Sequence, residues 1–231
     1  MKELLTQLAS RYETADFIVG DPSWFMHQYD VPIEQERAAF IAASLSYGSR
    51  RQFLPKIEYI LRGGSIPDND ECFYRLHTNR MVRRFLSVVD GIYCDHGSIL
   101  ALMEKHDVHT ALDAIRLLTA YFAERGASDL IPKDASSACK RVCMFLRWMV
   151  RDDSPVDLGL WARQIDRRTL IIPMDTHVLQ EAQRLGLMTG RTTSMSSAMK
   201  LTDKLREIFP DDPLKGDFAL FGLGVDEEKN K

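Results

Sequence analysis

The chain has only four cysteines in 231 residues, Cys72, Cys94, Cys139 and Cys143, and none of them forms a C-x-x-C pair. That spacing suggests neither a zinc site nor an iron–sulfur cluster, so no metal or cofactor is expected. Cys139 and Cys143 stand four apart on a predicted helix and read as small apolar residues. No apolar run is long enough to span a bilayer, and the opening Met1-Lys2-Glu3-Leu4-Leu5 lacks a signal-peptide core. The expectation is a cytoplasmic protein with no membrane partner. Glycine-rich phosphate loops, dinucleotide fingerprints and serine-centred triads are missing as well. So are internal repeats, low-complexity segments and useful lengths of strand alternation; Leu170-Ile171-Ile172 is too short to decide. There is no excess of positive charge. The net charge of −3 argues against a strongly basic nucleic-acid binder but leaves room for a local basic face.

What is present is an ordinary globular composition, 45% hydrophobic and 27% charged, long enough for one large domain or two lobes sharing a core. The pattern is helical almost throughout. Met1 to Tyr12 is a short amphipathic helix with Leu4, Leu5 and Leu8 on one side. Asp21-Pro22 is a cap followed by a proline at the first helical position, opening a helix through Tyr29. Ile33 to Tyr47 follows, stopped by Gly48. Ser49 caps a helix carrying Phe53, Ile57, Ile60 and Leu61, closed by Gly63-Gly64. After a polar turn come Cys72 to His77, Arg80 to Val89, Ser98 to Glu104 and Thr110 to Phe122. Residues 127–135 form a polar loop, and Ser136 and Ser137 offer caps for a helix through Val150. Asp157 opens a short helix over Trp161. Ser194 to Phe209 is amphipathic, and a last helix starts at Asp212-Pro213 and is closed by Gly222 and Gly224.

One stretch stands out. An apolar run, Leu170-Ile171-Ile172, meets Pro173, and Asp175 then sits where a helix must begin. Val178, Leu179, Ala182 and Leu185 recur at helical spacing, with Gly186 as terminator. Asp175 reads first as an N-cap. Charge is uneven around it: between Lys133 and Arg191 there are ten Lys/Arg against seven acids, a local excess of +3. That excess is consistent with a solvated face of local ion pairs or with a binding patch. On the 136–150 helix Ala138, Val142, Phe145 and Met149 form a core face. Lys140, Met144, Arg147 and Arg151 recur on the other.

Ser137-Ala138-Cys139-Lys140-Arg141 followed by Pro173-Met174-Asp175-Thr176-His177-Val178 resembles the helix-hairpin-helix base-excision DNA glycosylases. The likeness is greatest to the archaeal 8-oxoguanine glycosylase branch, with the lysine 35 residues upstream of the aspartate. Across nearly its whole length the chain also resembles a bacterial family of uncharacterised proteins, DUF2400. The matching phrases are Ala42-Ala43-Ser44-Leu45-Ser46-Tyr47-Gly48, Phe145-Leu146-Arg147-Trp148-Met149-Val150-Arg151 and Asp217-Phe218-Ala219-Leu220-Phe221-Gly222. The resemblance implies an all-α, two-lobed glycosylase-like fold, with a central lobe over 33–151 and a second lobe built from 1–32 and 152–231. It implies removal of a damaged base, such as an oxidised purine, from double-stranded DNA in the nucleoid, with AP-lyase activity as a further step. The alternative is a non-catalytic nucleic-acid-binding or scaffold protein on the same fold. No obligate protein partner is evident.

Under that resemblance Lys140 and Asp175 are the catalytic pair. Asp175 stabilises the oxocarbenium character of the sugar, and Lys140 attacks C1′. By itself Lys140 reads as a solvent-facing helix lysine. The implied hairpin is Leu130 to Ser137, where Lys133, Ser136 and Ser137 would hold phosphate in the absence of the usual glycines. Arg141, Arg147, Arg151 and His177 are the remaining DNA contacts, His177 being readable also as a support for the helix start. Tyr47 stands where relatives carry a residue that fills the gap left by a flipped base. Trp148, Asp217, Phe218 and Phe221 are the candidate base-pocket residues. His106, Asp107 and His109 flank a helix junction without further ligands, so no metal site is drawn from them.

Overall fold

The computed structural model describes residues 1–229. Ten α-helices follow one another: α1 Lys2–Tyr12, α2 Pro32–Leu45, α3 Arg50–Leu61, α4 Asn79–His96, α5 Ile99–Lys105, α6 Ala111–Glu124, α7 Lys140–Val150, α8 Thr176–Arg184, α9 Met195–Ile208 and α10 Lys215–Lys229. Short 3₁₀ turns lie at Ala15–Ile18, Pro22–Gln28 and Arg167–Thr169. A two-stranded antiparallel hairpin, β1 Cys72–Tyr74 and β2 His77–Thr78, is the only named sheet among the described residues. The protein is all-α.

Most helix starts obey local capping chemistry. Asp21 accepts the Ser23 N–H at 3.0 Å with Pro22 behind it, Ser98 accepts Ala101 N–H at 2.9 Å, and Ser194 accepts Ser197 N–H at 3.2 Å. These bonds satisfy donors that have no partner within the helix. Ser136 and Ser137 do not cap α7, contrary to expectation. The helix begins at Lys140, after Cys139 in a left-handed conformation (φ 46°, ψ 38°). Ser137 instead pairs across to Ser194, and Met195 N–H donates to the Ser136 carbonyl at 3.1 Å. The 130–137 segment is thereby pinned to the start of α9.

Three further expectations change. Cys72 to His77 is the hairpin rather than a helical element. Asp157 opens no α-helix; residues 152–166 are turns, and Asp157 is buried. Gly222 does not end the last helix, because α10 runs through it. A Cβ built on Gly222 would lie 1.9 Å from the Tyr12 ring. The glycine is therefore a close-approach residue that lets α1 lie against α10. Gly222→Ala is expected to cost about 1–3 kcal/mol through overpacking, read as a lower urea midpoint at unchanged slope. An unchanged midpoint would mean that Tyr12 simply swings away.

The core is one continuous apolar cluster that includes Leu5, Phe40, Phe85, Leu146, Leu170 and Leu220. Phe40 makes ring contacts with Phe85, Phe122 and Phe145, and Phe145 meets Trp161 edge-on at 5.1 Å. Trp161 donates Nε1–H to Glu36 at 3.0 Å. Glu36, only 3% exposed, also accepts from Tyr93 and from the Ile99 and Leu100 N–H groups at the start of α5. Burial raises the Glu36 carboxyl above its usual value, and these four donors pull against that rise. No single helix among the described residues is long and apolar enough to cross a membrane.

Candidate active site

Two chain segments far apart in sequence are brought together by α7 and α8. Lys140 is the first residue of α7, and Asp175 is the N-cap of α8. Lys140 Nζ donates to Asp175 Oδ2 at 2.6 Å. The other carboxylate oxygen of Asp175 accepts the Val178 N–H at 2.9 Å. The cap thus fixes one side of the carboxylate and leaves the other for the lysine. Burial pushes the Asp175 carboxyl up, but Lys140, the Val178 N–H and His177 together outweigh it and hold the carboxyl below its usual 3.8. A depressed carboxylate contributes stability that is fully present above the unfolded value and is lost as pH falls through the folded one. Carbon-detected NMR of Asp175 should therefore show a midpoint below 3.8, and Lys140→Ala should move it upward. A midpoint indifferent to Lys140 would break this account.

The pair borders a cleft of about 680 Å³. Its walls come from widely separated segments: Phe17 and Asp21, Gly48 and Arg50, Lys140 and Arg147, Asp175 and Glu181, and Asp217, Phe218 and Phe221. The apolar wall is a small aromatic cluster in which Phe17 meets Phe218 at 5.1 Å and Phe221 at 5.2 Å, both edge-on. Arg50 lies over Phe221 at 5.3 Å and pairs with Asp21 at 3.1 Å. Phe17, Asp21, Arg50 and Glu181 carried no mark in the sequence as site residues. Asp21 reads there as a cap, and nothing local links it to α7 or α10. Among the described residues no group of three His, Cys, Asp or Glu could hold a metal ion.

The basic face assigned to α7 needs correction. Arg147 and Arg151 are buried, at 5% and 1% exposure. Arg147 reaches Asp157 at 3.3 Å and Asp217 at 2.5 Å, and its guanidinium lies 4.5 Å from the Phe218 ring centre. Arg151 pairs with Asp157, with Asp212 at 2.8 Å and with Glu13 at 2.6 Å. Burial lowers both guanidinium pKa values, and the surrounding carboxylates more than restore them, so both stay charged. Arg151 is closed off from any phosphate. Arg147 forms the cleft floor together with Asp217, whose carboxyl burial raises.

Other candidates are placed as follows. Arg141 donates to the Ser44 carbonyl at 2.7 Å and clamps the end of α2 to α7. Lys133, Ser136 and Ser137 are exposed, but the Ser136 N–H is already engaged by Asp134 at 2.9 Å and is not free to grip phosphate. Trp148 is fully buried and lines no part of the cleft, so it is a core residue and not a base-pocket one. Phe218 is buried as well, while Phe221 is partly open. His177 lines the cleft beside Asp175. Tyr47 is 41% exposed beside the cleft, its ring engaged by Arg75 at 5.0 Å and Arg141 at 5.9 Å.

These features define an all-α protein with a lysine–carboxylate pair, braced by a helix cap, at the edge of a partly aromatic cleft. By sequence the chain belongs to the family described as "Protein of unknown function (DUF2400)", whose model matches residues 21–226. No curated protein and no solved structure matches the chain.

Proposed function

We propose that the protein is a DNA N-glycosylase with AP-lyase activity that excises a damaged base, such as an oxidised purine, from a nucleotide turned into the cleft between two helical lobes. The observation that carries this reading is the 2.6 Å contact between Lys140 Nζ and Asp175 Oδ2 at the edge of the 680 Å³ cleft. An amine that can attack a sugar carbon and a carboxylate that stays ionised are the two groups that cleavage of an N-glycosidic bond by a lysine nucleophile requires. In the proposed reaction the C1′–N bond breaks and its electron pair leaves with the base, which takes up a proton. Asp175 stabilises the cationic sugar. Lys140, having passed its proton to the departing base, forms the new C1′–N bond through its free amine. Opening of the sugar ring then gives a Schiff base, and loss of a C2′ proton expels the 3′ phosphate.

The test is incubation with duplexes carrying 8-oxoguanine or an abasic site in the presence of borohydride. Reduction of the Schiff base should leave a protein–DNA adduct. No adduct on any member of a lesion panel, combined with salt-sensitive DNA binding that survives Asp175→Asn, would favour the non-catalytic binding reading instead.

A further inference from the structure

We propose that Arg75, His77 and Arg141, gathered around the Tyr47 ring, form a seat for a phosphoryl dianion, free or carried on a single ester. The Arg75 guanidinium lies 5.0 Å and the Arg141 guanidinium 5.9 Å from the centre of that ring, and the His77 ring meets it edge-on at 6.4 Å. The three come from separate elements: Arg75 from the β1–β2 turn, His77 from β2 and Arg141 from α7. The seat shares no residue with the Lys140–Asp175 pair, and its test uses no DNA, so it stands or falls independently of the glycosylase reading.

The group is rich in donors that have no acceptor. No hydrogen bond or ion pair among the described residues engages the Arg75 guanidinium or the Tyr47 hydroxyl. Arg141, half-buried, uses one of its five N–H donors on the Ser44 carbonyl at 2.7 Å and reaches no carboxylate among the described residues. His77 is 7% exposed, and its Nε2 is buried without a hydrogen-bond partner. Buried polar side-chain atoms are seldom left so, and a charge drawn out of water normally has a partner of opposite sign. Asp129 is the carboxylate that acts on His77, without a hydrogen bond to it. Its pull is outweighed: burial first, and then Arg141, hold the His77 imidazolium below its usual 6.5.

The arrangement is held in place. A Cβ on Gly48 would come within 2.1 Å of Arg75 Nη1, so the glycine lets the guanidinium settle against the backbone. The Tyr74 hydroxyl donates to the Tyr47 carbonyl and ties the hairpin to the ring. Two like charges at one ring repel each other, and an anion beside both removes that cost. Charge selects the ligand. Two guanidiniums supply two positive charges, and a phosphate monoester carries about −1.5 to −2 at neutral pH with three acceptor oxygens. A diester keeps only a single negative charge. The planar guanidinium fork fits phosphate oxygens two at a time, and the His77 Nε2–H supplies a further donor. Arg75 and Tyr47 are open to solvent, at 41% exposure for Tyr47, so a small anion can reach the group.

Titration calorimetry of the full chain with inorganic phosphate, methyl phosphate and dimethyl phosphate, at a pH where the second phosphate proton is off, tests the seat. Inorganic phosphate and methyl phosphate should bind, and dimethyl phosphate should bind at least tenfold more weakly. Tighter binding of methyl phosphate assigns the seat to an ester-borne phosphate, and tighter binding of inorganic phosphate to the free ion; either supports the proposal. Arg75→Gln should weaken the dianions by about 10–100-fold, the range for losing a hydrogen bond to a charged group. Arg141→Gln removes a clamp between α2 and α7, so a second measurement is made on the wild-type protein. In ¹⁵N NMR the His77 ring nitrogens should shift on addition of inorganic phosphate and stay put with dimethyl phosphate. Equal binding of the diester, unchanged binding by Arg75→Gln, His77 nitrogens indifferent to phosphate, or no binding of either dianion overturns the seat, and each leaves the glycosylase reading untouched.

Discussion

Arg151→Ala should lower folding stability by about 3–5 kcal/mol, the range for removing one partner of a buried ion network. Arg151 is 1% exposed and joins three parts of the chain: Glu13 after α1, Asp157 in the turn region after α7, and Asp212 before α10. Its Nε–H and one Nη2–H fork onto Asp212 at 3.0 and 2.8 Å. Deleting the side chain takes the shared cation from Glu13, Asp157 and Asp212, while Arg147 still reaches Asp157. The loss would consume a large share of the roughly 5–15 kcal/mol that holds a typical domain together. Arg151→Lys keeps the charge but cannot reproduce the fork, so its loss should be intermediate. Urea unfolding followed by circular dichroism checks both. A loss below about 1 kcal/mol for Arg151→Ala would show that the carboxylates are relieved by protonation or by water.

Lys140→Ala should abolish borohydride trapping altogether, and Asp175→Asn should slow base release by about 10²–10³-fold, the scale for removing one preorganised electrostatic group. The two variants act on different steps. Without Lys140 there is no amine to form the Schiff base. Asparagine at 175 can still accept the Val178 N–H and cap α8, so the helix start survives while the negative charge is gone. Neither change should cost much stability, because the bridge is partly open to solvent, with side-chain exposures of 41% and 28%. Bridges of that kind contribute about 0.2–1 kcal/mol. Activity should therefore fall without a matching fall in the melting midpoint. Lys140→Arg keeps the positive charge beside Asp175 without a nucleophilic amine, and should bind DNA without being trapped. Undiminished trapping of Lys140→Ala on a lesion duplex would sink the assignment of the nucleophile.

Much of this protein was legible in the residues alone because the relevant physics is local. Apolar spacing of three and four marked most helices. Asp21, Ser98, Thr110, Asp175 and Ser194 announced helix starts, since a cap needs only a side chain and an N–H two or three residues on. The choice of Lys140 and Asp175 came from resemblance to a family, not from spacing, and only the fold shows them in contact across α7 and α8. Tertiary structure alone decided the rest. A helical repeat tells which residues share a face, but not what that face will meet. Arg147 and Arg151 shared a face with Lys140, and carboxylates from distant segments turned that face inward. Gly222 looked like a terminator because glycine often is one. Its lack of a side chain instead answers the Tyr12 ring of α1, more than two hundred residues earlier. The cleft wall of Phe17, Arg50 and Phe221 likewise exists only once separate segments pack. Close approach and charge burial depend on partners far away in the chain, and no local pattern encodes them.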